Sequence, residues 1–256
     1  MRWLFFQTPA ADGAYNMALD EALMRRAGRT GEAVFRVYSW SVATLSLGRN
    51  QRARGCYDED ASRAMGVSFV RRPTGGRALL HHREVTYSAT LPLADADEAR
   101  SSYDFINSVL LGGLSRLGVN AGPATGTQSL PPGLRPCFDV PAEHEIAFEG
   151  RKLVGSAQWR HDGALLQHGS ILVRDDQPMI ARLMKAPGAN VTTTAATLAH
   201  ALGREPSVEE VAQPILEALR EATRSVIGRF DLDSGVEADL NVLRDAYNDA
   251  AWTWRR

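Results

Sequence analysis

Lysine is nearly missing from this 256-residue sequence: of 29 basic residues only Lys152 and Lys185 are lysine. A chain with that bias has used arginine wherever a generic positive charge serves. The two lysines therefore mark places where a compact ammonium is needed in particular, since a guanidinium does not mimic it. For Lys185, beside Pro187-Gly188, chance is the better explanation. Cysteine is scarce as well. Cys56 and Cys137 are too few for a disulfide framework, and in a reducing compartment both thiols stay free. No apolar run is long enough to span a bilayer, and residues 1–6 lack the apolar core and cleavage site of a secretion signal. A cytoplasmic location with no membrane partner is expected. A net charge of -1 lacks the basic excess of a nucleic-acid binder, so none is expected, while local basic patches remain open. The six histidines show no metal-ligand spacing with supporting cysteines or carboxylates, and no metal is expected.

What is present is ordinary globular material, 44% hydrophobic and 23% charged, enough for a full-sized core. Strand-like runs fall at 3–7, 35–40, 43–48, 67–71 and 85–91, and helical periodicity at 12–26, 58–65 and 102–117. Residues 143–148, 152–159 and 164–172 read as three consecutive strands joined at Glu149-Gly150 and Asp162-Gly163. Ser207-Val208-Glu209-Glu210 is a capping-box signature opening a helix to about residue 227, and 236–254 reads as another. Strands and helices intermix without regular βαβ alternation, which favours an α+β fold. One domain over 1–256 is expected, with about 205–256 as its helical C-terminal part.

Three segments can carry chemistry. In Arg71-Arg72-Pro73-Thr74-Gly75-Gly76-Arg77, paired glycines after a strand permit close backbone approach to a ligand, and the arginines suit an anionic or carbonyl-bearing one. A plain hairpin turn is the bland alternative. In Gly150 to Gln158, the small residues Gly155, Ser156 and Ala157 sit mid-strand, which weakens a strand unless an acyl chain or a crossing helix lies against it. Lys152 is inside that element. The third segment is Arg135-Pro136-Cys137-Phe138-Asp139, a thiol in a proline-rich loop with a cation nearby. A lone cysteine is more often a small buried hydrophobe than a nucleophile. Cys56 lacks such a neighbourhood and is read as structural.

Taken together, four stretches resemble the lipoate-protein ligase and octanoyltransferase family, which shares a catalytic domain with biotin-protein ligases. They are Asn16-Met17-Ala18-Leu19-Asp20-Glu21, Gly48-Arg49-Asn50-Gln51, Arg71 to Gly76 with His81, His82 and Tyr87, and Gly150 to Gln158 with His168-Gly169. The resemblance implies a mixed β-sheet flanked by helices and assigns Lys152 to the acyl carbonyl. Gly-Gly followed by Arg77 rather than a third glycine, and Cys137 upstream of the lysine strand, are closer to the Cys-dependent octanoyltransferases.

That resemblance implies a transfer without ATP or other cofactor. Cys137 would take octanoyl from acyl carrier protein as a thioester and pass it to a lysine of a lipoyl-domain protein such as glycine cleavage H protein. Lys152 would stabilise the oxyanion. Gly75, Gly76, Gly155, Ser156 and Ala157 would line the acyl channel, Arg72 and Arg77 would position the carrier arm or protein face, and His82 or His168 would relay a proton. The alternatives are an ATP-dependent lipoate ligase, an amidotransferase acting between lipoyl domains, and a non-enzymatic acyl- or lipoyl-domain-binding protein.

Overall fold

The computed structural model describes residues 1–124, 145–185 and 195–256. Its elements begin with β1 (Trp3–Gln7), α1 (Gly13–Thr30), β2 (Ala33–Tyr38) and β3 (Thr44–Leu47). Next come α2 (Glu59–Ala64), β4 (Ser68–Arg71), β5 (Leu79–His81), β6 (Glu84–Pro92) and α3 (Ala96–Arg116). Then follow β7 (Gly122–Pro123), β8 (Ile146–Phe148), β9 (Arg151–His161), β10 (Ala164–Leu172) and α4 (Ile180–Leu183). The last are α5 (Leu198–Leu202), α6 (Val208–Thr223), β11 (Gly228–Arg229), α7 (Ser234–Asn248) and α8 (Ala250–Thr253).

Among the described residues, eight strands form one sheet in the order β11-β1-β2-β6-β10-β9-β8-β7, and β4-β3-β5 form a second. The large sheet is mixed: β11, β1 and β2 run parallel, and β2, β6, β10 and β9 are antiparallel neighbours. The fold is α+β, a mixed sheet flanked by helices. Strand alternation builds both of its faces. Phe35 and Val37 of β2, with Tyr87 and Ala89 of β6, pack under α3 and α6 through Ile106, Leu110, Ile215 and Leu219. The opposite parity, Val34 and Tyr38, faces α1 and α7 through Met17, Leu23, Val236 and Leu240.

Local signals place several boundaries. Asp12 caps α1 by accepting from the Tyr15 amide, and Gly31 closes it at φ 71°. The capping box at Ser207 and Glu210 is formed in both directions. Both hairpin turns have positive φ at their two central residues: 52° and 72° at Glu149-Gly150, 46° and 68° at Asp162-Gly163. That is the conformation whose twist suits a two-residue hairpin.

Elsewhere the structure departs from the expectation. α6 stops at Thr223 rather than near 227, because Arg224 turns left-handed at φ 50°. The single helix expected over 236–254 is two: Asp249 leaves helical geometry at ψ 122° and its side chain caps α8. β5 has no counterpart in the sequence pattern, because three residues between two turns carry too little periodicity.

Candidate active site

Two rows of side chains cross the sheet on its α1 face. In the first, Arg36 of β2 pairs with Ser88 of β6, Ser88 with His168 of β10, and His168 with Ala157 of β9. In the second, Tyr38 pairs with Thr86, Thr86 with Ser170, and Ser170 with Gly155. Each row ends on β9 in a small residue, so space opens over Gly155 and Ala157. Met17 of α1, Trp40, and the segment bearing Arg72, Gly76, Leu79 and His81 wall that space into a cavity.

The rim of the turn depends on a close approach. A Cβ on Gly48 would lie 2.0 Å from the Gly76 carbonyl oxygen, and Gly76 itself has φ 98°. Side chains are excluded at the first position and strained at the second. Arg72 fastens the turn from inside. It donates through Nη1 to the Ser46 carbonyl and hydroxyl, both at 3.0 Å, and through Nη2 to the carbonyls of Gly75 (2.9 Å) and Arg77 (2.7 Å).

Beneath the cavity lies a buried polar network. The Asp20 carboxylate accepts Arg36 Nη1 (2.8 Å) and Ser88 Oγ (2.7 Å) on Oδ1, and Tyr38 OH (2.8 Å) on Oδ2. His168 Nδ1 lies 3.1 Å from Oδ2, and its Nε2 is 2.7 Å from Thr74 Oγ1. Burial raises the Asp20 carboxyl, but the His168 hydrogen bond and the Arg36 charge outweigh it and hold the group below its ordinary value. Burial also pushes the imidazole of His168 down, against the pull of Asp20. At neutral pH, Asp20 is therefore ionised and His168 neutral. The imidazole proton sits on Nδ1, facing Asp20, and bare Nε2 accepts from the Thr74 hydroxyl.

This arrangement sets a pH dependence. Depressing the folded-state pKa of His168 below the unfolded 6.5 makes the unfolded chain the better proton binder, so stability falls as pH drops below about 6.5. The melting temperature should be lower at pH 5.5 than at pH 7.5. The gap should shrink in His168→Gln; an unchanged gap would remove His168 from the account.

A second cluster flanks the cavity. His81 Nδ1 is 2.7 Å from Glu84 Oε1, and His81 Nε2 is 2.8 Å from Ser46 Oγ. The Trp40 ring stacks on His81 at 4.0 Å, while its Nε1 donates to Thr86 Oγ1 at 2.7 Å. Ser170 and Thr86 both donate to Glu84 Oε1.

The sequence matches the family model of the lipoyl protein ligase A/B catalytic domain over residues 12–220. The chain belongs to that family. Octanoyltransferase LipM of Kyrpidia tusciae is 37% identical over 272 aligned residues, covering 99% of both chains. Octanoyltransferase LipM of Symbiobacterium thermophilum is 36% identical, over 99% of this chain and 98% of its own. Among solved structures, a lipoate-protein ligase A bound with ATP is similar at TM-score 0.81 and 24% identity, covering 99% of this chain and 98% of its own. A putative lipoate protein ligase from T. acidophilum with bound lipoic acid gives 0.79 and 23%, with the same coverage. A bi-partite lipoate protein ligase from Thermoplasma acidophilum, studied with its E2 lipoyl domain, gives 0.82 and 20%, covering 99% of this chain and 96% of its own. These three likenesses establish the fold.

In this member of the family, Arg72, Gly76, Gly155, Ser156, Ala157 and His168 meet at the cavity. Gly75 and Arg77 lie in the same turn but not on the cavity wall; their carbonyls hold the Arg72 fork. His82 does not join them. It is 43% exposed and pairs with Asp176 at 3.1 Å, which leaves His168 as the histidine of the two at the cavity. Lys152 is 3% exposed and donates to Glu145 Oε1 at 2.6 Å; it is not among the residues that line the cavity. Ile146 pairs with Val154 and Ala147 with Lys152, so Leu153 is an extra residue that breaks the alternation between Lys152 and Gly155. Cys137 lies outside the described residues. The described chain stops at Ala124 and resumes at Glu145, and the Ala124 amide donates to the Glu145 carbonyl.

Sequence reasoning left Asp20, Arg36, Tyr38, Trp40, His81 and Glu84 without roles. One signal was available. β2, β6 and β10 put Arg36, Thr86, Ser88, Thr90, His168 and Ser170 at alternate positions, a pattern usually read as a solvated strand face, yet each is at most 6% exposed.

Proposed function

We propose that this protein moves an octanoyl group from acyl carrier protein to a lysine of a lipoyl-domain protein through Cys137. Octanoyl transfer in lipoate biosynthesis is the activity of the chain, in keeping with its full-length octanoyltransferase relatives, and makes it an acyltransferase. The observation that carries the reading of the site is the cavity over Gly155 and Ala157, walled by residues from both glycine-bearing segments. Burying an alkyl chain there stabilises the complex by about 0.8 kcal/mol per methylene.

The Cys137 thiolate attacks the thioester carbonyl, a new C–S bond forms, and the carrier's thiolate leaves and takes up a proton. The acceptor amine then attacks the acyl-cysteine carbonyl, its N–H proton is lost, and the Cys137 thiolate leaves as the amide forms. Thioester exchange is close to neutral in free energy and amide formation runs downhill, so neither step draws on ATP. Lys152, buried and hydrogen-bonded to Glu145, is assigned the positive charge for the oxyanion. Neutral His168, with Nδ1–H fixed by Asp20, takes the relay role at Nε2 through Thr74.

The donor decides between this reading and a ligase. The octanoyl thioester of acyl carrier protein should support acceptor modification without ATP. A reaction that requires ATP and free lipoate would overturn it. Lys152→Met should lower kcat by about 10²–10³-fold, the usual loss on removing one oxyanion donor. A loss below tenfold would take the oxyanion from Lys152. Ala157→Val should fill part of the cavity, so octanoyl transfer should fall by more than butanoyl transfer. Equal losses on the two chains would place the acyl group elsewhere.

A further inference from the structure

Residues 49–57, 71–82 and 250–256 hold eight arginines and no acidic residue, in a chain whose net charge is -1. The fold sews these three segments together. The Arg49 amide donates to the Thr74 carbonyl, and the amides of Ala53 and Arg54 donate to the Arg256 carbonyl. Arg71, fully buried, reaches the carbonyls of Gly48 (2.6 Å), Gln51 (2.9 Å) and Thr253 (2.8 Å).

Arg49, half-buried, and Arg255, exposed, are preorganised. The Arg49 guanidinium lies 4.9 Å from the Trp159 ring centre and 5.8 Å from that of Trp252, and Arg255 lies 4.0 Å from that of Trp252. Stacked guanidinium groups lose less side-chain freedom when a partner arrives. Among the described residues, Arg49, Arg52, Arg54, Arg255 and Arg256 pair with no carboxylate, whereas most surface arginines elsewhere do, as Arg26, Arg29, Arg83 and Arg244 illustrate. Their mutual repulsion is felt inside the protein: burial, then Arg255, Arg256 and Arg72, bring Arg71 down to about 10.

The patch borders the cavity. Gly48 touches Gly76 on the cavity wall, and Trp159 follows two residues after Ala157 on β9. Unpaired arginines beside half-buried tryptophans have the composition of a protein-docking surface rather than of a solvated face.

We propose that Arg49, Arg52, Arg54, Arg255 and Arg256 form the docking surface for an acidic protein that carries the acyl thioester, seating it where its arm enters the cavity. The proposal rests on the thioester-donor reading above. The donor is assigned over the acceptor because it must thread a whole acyl chain past Gly76, which fixes its body at this rim, and because a phosphodiester arm adds an anion that arginine forks fit.

The test compares two donors with full-length protein: octanoyl-acyl carrier protein, and the small uncharged octanoyl thioester of N-acetylcysteamine. In Arg52→Glu/Arg54→Glu, whose exposed side chains enter no hydrogen bond or ion pair among the described residues, the ratio of carrier KM to small-donor KM should rise about tenfold or more, the scale of lost electrostatic attraction. Raising salt should shrink the difference between wild type and variant. Arg220→Glu/Arg229→Glu, the same charge change around α6 and β11, should leave the ratio alone. An unchanged ratio in Arg52→Glu/Arg54→Glu, or a rise confined to the KM for the lipoyl-domain acceptor, overturns the surface while transfer itself stands. Failure of the wild type to use either thioester overturns the donor reading, and the docking surface with it.

Discussion

Replacing Cys137 with alanine is expected to cut octanoyl transfer by about 10³-fold or more, the scale on which removal of a covalent nucleophile is felt. Without the thiol, the acceptor amine must attack the carrier thioester directly, and one difficult step replaces two easier ones. Intact-mass measurement after exposure to octanoyl-acyl carrier protein should find one octanoyl adduct on the wild type, labile to hydroxylamine, and none on Cys137→Ala. Cys56 supplies the control. It is half-buried beside Arg54 and its sulfur faces the Arg54 carbonyl at 3.9 Å. Cys56→Ala should keep the adduct, and an adduct that follows Cys56 instead would end the Cys137 mechanism.

The second large effect is on folding. Asp20→Ala should destabilise the protein by about 3–5 kcal/mol, because it strands the Arg36 guanidinium in the core. Both side chains are 0% exposed, and Arg36 has Asp20 as its charged partner; its other acceptors are Thr8 Oγ1 and the carbonyl and side-chain oxygen of Asn16. Urea unfolding followed by circular dichroism would measure the loss. Asp20→Asn, which keeps the shape, should cost less. Removing both charges in Asp20→Leu/Arg36→Met should recover a good part of the stability lost in Asp20→Ala, because the uncompensated charge goes with its partner. If the double variant is no better than the single, hydrogen-bond loss rather than stranded charge carries the cost.

The contrast between these residues explains what the sequence reveals and what it conceals. Glu149-Gly150, Asp162-Gly163 and the Ser207–Glu210 box are legible because every interaction that fixes them lies within three residues. The small residues at 155–157 are legible for the opposite reason: they violate strand preference, and the cavity accounts for the violation. Asp20 is different. Its partners are 16, 18, 68 and 148 residues away, and nothing local distinguishes it from a carboxylate on a solvated helix face. Only strand order and register, which periodicity does not encode, bring Arg36, Ser88 and His168 beneath one helix. His82 fails as a site residue for a related reason. It is adjacent to His81 in sequence, but one step along a strand end reverses the direction of the side chain, towards Asp176.

The placing of the small residues on β9 also divides labour by strand. On the α1 face, β2 holds the charge that ties the sheet to its helix, β10 holds the histidine, and β9 contributes almost nothing but room. Capacity for a longer or bulkier acyl group can therefore drift by substitution on β9 alone. The protonation equipment on β10 and the core pairing on β2, one and three strands further in, need not change for the enzyme to change its diet.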